Sequence, residues 1–153
     1  MTERIQEAID VFLDAINNGT LAKGDCSACA VGTLLAHGIK KAGVNINSTL
    51  WKYAFMTAIP SGKQKIDKDR FNDEIFKYSK FTPAELAKIE YAFETNTSIP
   101  DWNYVLHTPT EIKQDQIRGL HAVIEVMKGM DDVEFNTKEV FTDKVNIPEK
   151  VCI

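Results

Sequence analysis

Two short stretches, Thr82-Pro83-Ala84-Glu85 and Thr108-Pro109-Thr110-Glu111, each carry what an α-helix needs in order to begin. The threonine oxygen accepts from the backbone N–H three residues on, and the glutamate reaches back to the threonine N–H. Proline presets the first helical residue, where no backbone donor is needed. At the first box, Phe81 and Leu86 stand where a hydrophobic staple belongs. These two starts commit the second half of the chain to helix.

The rest of the chain follows the same period. Ile5, Ala8, Ile9, Phe12, Leu13 and Ile16 recur at spacings of three and four, which is one face of a helix. Thr2 stands at its N-cap, and Asn17-Asn18-Gly19 is a stop because glycine tolerates the left-handed backbone there. Asp25 or Ser27 caps a second helix with Cys29, Ala30, Val31, Leu34 and Leu35 on its apolar face, ending near Gly38 or Gly43. A third, capped by Ser48 and closed by Pro60, carries Leu50, Trp51, Ala54, Phe55 and Ala58. A fourth spans about 68–78 with Phe71, Ile75 and Tyr78. The first capping box opens a helix bearing Leu86, Ile89, Tyr91 and Phe93 to about Glu94. The second opens a long one bearing Ile112, Gln116, Leu120, Val123, Ile124 and Met127. Gly119, in the middle of that helix, costs about 1 kcal/mol against alanine, which points to the close approach of another backbone. Ile99 to Leu106 reads equally as loop, short helix or strand. Val133-Glu134-Phe135 and Val145-Asn146-Ile147 alternate as strands do. The expected architecture is mostly α: one compact domain of five to six helices over 1–130, with 131–153 as a short β-like extension packed on it.

With 153 residues, 44% apolar and 26% charged, the chain is large enough to bury a core without a staple. Its net charge of −4 gives no overall attraction to a phosphate backbone, so general nucleic-acid binding is disfavoured. No apolar run is long enough to span a membrane. The opening Met1-Thr2-Glu3-Arg4 is acidic at once, unlike a signal peptide, and three cysteines make an odd set for disulfides. The cytoplasm is the expected compartment. A homo-oligomer is left open.

Few side chains suggest chemistry. Cys26 and Cys29 form a CxxC near a helix start, where the positive end of the helix favours thiolate. Zinc on Cys26 and Cys29 would need a second ligand pair, and Cys152, His37, His107 and His121 do not supply one in sequence. The expectation is therefore no cofactor, with Cys29 a small core residue and Cys26 partly exposed. Asp25-Cys26-Ser27 before an apolar helix resembles the nucleophile segment of the NlpC/P60 cysteine peptidases, which implies a thiol hydrolase on Cys26. His107 and His121 lie within or beside predicted helices, not where that family's base stands, and His121 is the alternative partner. That family's Gly-His strand segment has no counterpart here. His121 otherwise reads as a boundary residue making one hydrogen bond, and His37 as a contact to helix carbonyls. Asp67, Asp69 and Asp73 lack the glycine and the glutamate of a calcium loop. Trp51, Tyr53, Trp102 and Tyr104, with Lys52, Lys63, Lys65 and Arg70, form a candidate ligand-binding set of rings and cations, set against their reading as core and rim residues.

Cys26-Ser27-Ala28-Cys29-Ala30-Val31-Gly32, Trp51 with Phe55 and Thr57, and Gly62-Lys63-Gln64 carry a wider resemblance. Phe81, Glu85-Leu86, Ile89-Glu90, Phe93-Glu94, Gly119-Leu120 and Ala122-Val123 extend it. Over roughly 5–130 the chain resembles a family of small uncharacterised proteins of Bacteroidota and their phages, and 131–153 departs from the pattern. The resemblance implies a compact helical protein of phage origin and assigns no catalytic residue. Small phage proteins of this kind often inhibit a host protein or sequester a ligand in host defence. The expected function is thus non-enzymatic binding or inhibition of a host protein or of a nucleotide-like anionic small molecule. The alternatives are the Cys26 hydrolase and the zinc-stabilised module.

Overall fold

A computed structural model describes residues 1–21, 30–43 and 68–142. They form α1 (Glu3–Asn18), α2 (Ala30–Lys41), α3 (Lys68–Ser79), α4 (Pro83–Asn96), a 3-10 turn (Asp101–Leu106), α5 (Pro109–Asp131) and α6 (Thr137–Phe141). The protein is mostly α, and no strand occurs among the described residues. The helix expected over 48–58 lies outside them.

Both capping boxes form. Thr82 Oγ1 accepts from Glu85 N at 3.2 Å while Thr82 N donates to Glu85 Oε1 at 3.0 Å. Thr108 and Glu111 repeat the arrangement. α1 ends at Gly19, φ 70°, in a Schellman motif: Thr20 N donates to Ala15 O at 2.9 Å and Gly19 N to Ile16 O at 3.2 Å. Thr2 holds the N-cap position, but its side chain does not cap α1. Its hydroxyl donates to Asp131 instead.

One core joins the helices. Ile5, Ile9, Phe12 and Ile16 of α1 meet Val31 and Leu35 of α2, Leu86, Ile89 and Phe93 of α4, and Leu120, Ile124 and Met127 of α5. Tyr91 stands outside this face and is exposed. Gly119 is needed because a Cβ there would lie 2.5 Å from Thr97 Cγ2 and 2.7 Å from Phe93 Cδ2. Side chains of α4 and the following segment approach it, not the backbone that its position in the sequence suggests.

α2 runs past Gly38 and stops at Gly43, φ 76°. Gly38 has another purpose: a Cβ there would stand 1.8 Å from the carbonyl oxygen of Tyr78. α2 and α3 therefore touch backbone to backbone at this point.

The β-like tail is corrected over its described part. Residues 133–136 form no strand, and Asn136 caps the helix α6 by accepting from Lys138 N at 3.1 Å. The alternation of Val133 and Phe135 reflects packing on the helical core, which Val140 also joins. Lys128 Nζ donates to Phe135 O at 2.7 Å and Thr137 Oγ1 at 3.2 Å, and pairs with Glu134 at 2.7 Å. Val145 to Ile147 lie outside the described residues.

Gly38→Ala is expected to lose roughly 1–3 kcal/mol of stability, because the clash outweighs alanine's better helix propensity. Gly129→Ala, whose Cβ meets nothing within 4 Å, is expected to gain up to about 1 kcal/mol. Urea unfolding of both variants measures the pair, and a Gly38→Ala variant as stable as the parent contradicts the close contact.

Candidate functional site

Between α4 and α5 the chain must turn over the end of the core, and Pro100 and Pro109 bracket that passage. Its approach is pinned by a buried carboxylate. Asp115 accepts from Ser98 N at 2.9 Å, Ser98 Oγ at 3.1 Å and Ile99 N at 2.9 Å, and Arg118 pairs with it at 2.8 Å. Asp115 is buried on α5, so it replaces the partners that an extended segment would otherwise lack. The 3-10 turn follows, with Asn103 N donating to Pro100 O at 3.0 Å and His107 N to Tyr104 O at 3.1 Å.

A second brace comes from Gln116, also buried. Its Nε2 donates to the Tyr104 hydroxyl at 2.9 Å and to Leu21 O at 2.6 Å. At the far end, His107 Nδ1 meets Glu111 Oε2 at 3.0 Å and its Nε2 meets Asn103 Nδ2 at 3.3 Å. With Nδ1 protonated toward the carboxylate, Nε2 accepts from the amide. His107 and the Thr108 N–H hold the Glu111 carboxyl below its ordinary range.

On this braced turn Trp102 is 77% exposed, Val105 89% and Leu106 76%. A 3-10 helix has three residues per turn, so Trp102 and Val105 share a face, with Leu106 beside them. Large apolar side chains gathered on so short an element are seldom left to water without a use.

The remaining candidates fall elsewhere. Trp102 and Tyr104 come together on one turn, but Trp102 faces water while Tyr104 is braced against α5. Arg70 lies in α3, with its side chain outside the described part. Trp51, Lys52, Lys63, Lys65, Cys26 and Cys29 lie outside the described residues. His121 stacks on Phe141 with ring centroids 6.4 Å apart and so packs α5 on α6. His37 does not reach helix carbonyls as expected: its Nε2 meets Glu7 Oε1 at 3.3 Å. Among the described residues no group of three histidine, cysteine or carboxylate side chains is placed to hold a metal ion, and no helix is long and apolar enough to cross a membrane. Val105 and Leu106 were not singled out by sequence. The available signal was Trp102, Tyr104, Val105 and Leu106 crowded between two prolines, too apolar and too short to bury every side.

The densest charge cluster serves the fold. Arg4 binds Glu85 and Asp131, and Glu7 binds Lys80 at 2.8 Å, Lys41 at 3.0 Å and His37. The charges largely neutralise one another. The dent between them has a volume of about 10 Å³, room for about one water and not for a ligand. No family model, curated protein or solved structure matches the chain.

Two outcomes are expected. Asp115→Asn places an amide donor opposite two backbone donors, which should cost roughly 1–3 kcal/mol and speed hydrogen exchange at Ser98 and Ile99. Unchanged exchange would remove Asp115 as the brace. Separately, Lys80 and then Lys41 lower the Glu7 carboxyl from 4.5 to about 2. A carboxyl lowered on folding contributes stability above its unfolded pKa and loses it as pH falls toward the folded one. Glu7→Gln should therefore flatten the fall of stability between pH 4.5 and about 2. Glu85 and Asp131, also lowered, preserve part of the slope. Urea unfolding at stepped pH reads both.

Proposed function

We propose that this chain is a non-enzymatic recognition protein that docks the Trp102–Val105–Leu106 turn into an apolar cleft of a protein partner. One observation carries the reading: three large apolar side chains, each more than three-quarters exposed, share one turn whose backbone is held by buried polar side chains. A rigid apolar anchor binds with little entropy left to lose, and tryptophan is among the residues that dominate interface energies. The resemblance to small Bacteroidota and phage proteins supports an inhibitory role, with a host protein as the target and the cytoplasm as the place of action. The anionic-ligand reading sets Trp51, Lys52, Lys63, Lys65 and Arg70 beside Trp102 and Tyr104; the first four lie outside the described residues, as does the Arg70 side chain.

The test is a pull-down from bacterial lysate followed by affinity measurement on the captured protein. Trp102→Ala with Leu106→Ala should weaken binding by roughly 30-fold or more, equivalent to about 2 kcal/mol. Thermal stability should change much less than binding, since more than three-quarters of each residue is exposed. Retained affinity in the double variant, or no captured protein with the parent, would sink the proposal.

A further inference from the structure

The turn sits in a stretch of one charge sign. Between Lys88 and Lys113 the chain has no lysine or arginine and four carboxylates, Glu90, Glu94, Asp101 and Glu111. Glu90 is engaged inward, accepting from Val31 N at 3.1 Å. Glu111 stays at the surface: its side chain is 52% exposed and it is joined to the turn through His107. Asp101 opens the turn in sequence. On α5 beyond the turn, Arg118 is paired with the buried Asp115 and offers little net charge. Glu111 therefore sets a half-exposed carboxylate at the edge of the apolar turn.

Resting on the docking reading above, we infer that the partner presents an apolar surface bordered by lysine and arginine. Apolar contact at the centre supplies affinity, while charges at the rim select the partner and speed its approach. Two copies of this chain meeting through the same turn would bring Glu111 against its own kind across a two-fold axis, which disfavours self-association here. The carboxyl of Glu111 is lowered by His107 and Thr108, so the rim keeps its charge as the pH falls below neutral.

The probes are two synthetic amphipathic helices with one leucine face, the first bordered by lysines and the second by glutamates. Each is titrated into isotope-labelled full-length protein, following the two tryptophan indole N–H signals, with Trp102→Phe assigning them. The lysine peptide should move the Trp102 signal and bind at least ~10-fold more tightly than the glutamate peptide at low salt. That advantage should shrink as salt rises. Glu111→Gln, which keeps the helix-start contact, should narrow it as well. Equal binding of the two peptides at Trp102, or a preference for glutamate, would overturn the charged rim and leave the docking reading standing. If neither peptide moves Trp102, the docking reading falls with it. A shift of Trp102 with protein concentration alone would give the surface to a second copy and overturn the inference.

Discussion

The Arg4 guanidinium is the point at which the helical body is tied together. From α1 it donates through Nη1 to Glu85 Oε1 at 3.0 Å and to Lys80 O at 2.9 Å, and through Nε to Asp131 Oδ1 at 3.0 Å. Its Cζ lies 4.5 Å from the centre of the Phe81 ring. One side chain thus joins the start of α1, the α3–α4 corner, the capping box of α4 and the end of α5. Only arginine has the fixed fork of donors and the flat, weakly hydrated face that this requires. Helices this short are marginal alone, so their stability comes from being held against one another.

α5 carries that order to the surface. Its apolar face closes the core, and Gly119 lets Phe93 and Thr97 lie against it. One turn before Gly119, Asp115 and Gln116 use their buried polar atoms to hold the chain that leaves α4. The exposed turn is therefore an extension of the packed interior rather than a loose loop. Gln116 also fastens Leu21, so the end of the α1 corner and the turn share one anchor. On the proposed reading, this apolar turn is the surface that selects a partner.

What was legible in the sequence was what local chemistry decides. The two capping boxes, the α1 face and the Gly19 stop form as read, because each depends on residues within a turn or two. Tertiary demands were hidden. Of the two stops that the sequence offers, Gly43 ends α2, while Gly38 is a contact with the Tyr78 backbone. Thr2 read as a cap and serves Asp131. Val133 and Phe135 read as strand, yet they line the path to a helix that Asn136 starts. The candidate site was half visible. Trp102 and Tyr104 stood out as rings, but their opposite roles depend on Gln116, twelve residues beyond Tyr104. Arg4 gave no signal, since its partners lie far along the chain.

Asp115 and Gln116 hold the chain on either side of Trp102. The most direct measurement is the backbone order parameter from NMR relaxation across residues 101–107. The result expected is about 0.85, the level of packed backbone. Values below roughly 0.6 would describe a loose loop and contradict the account.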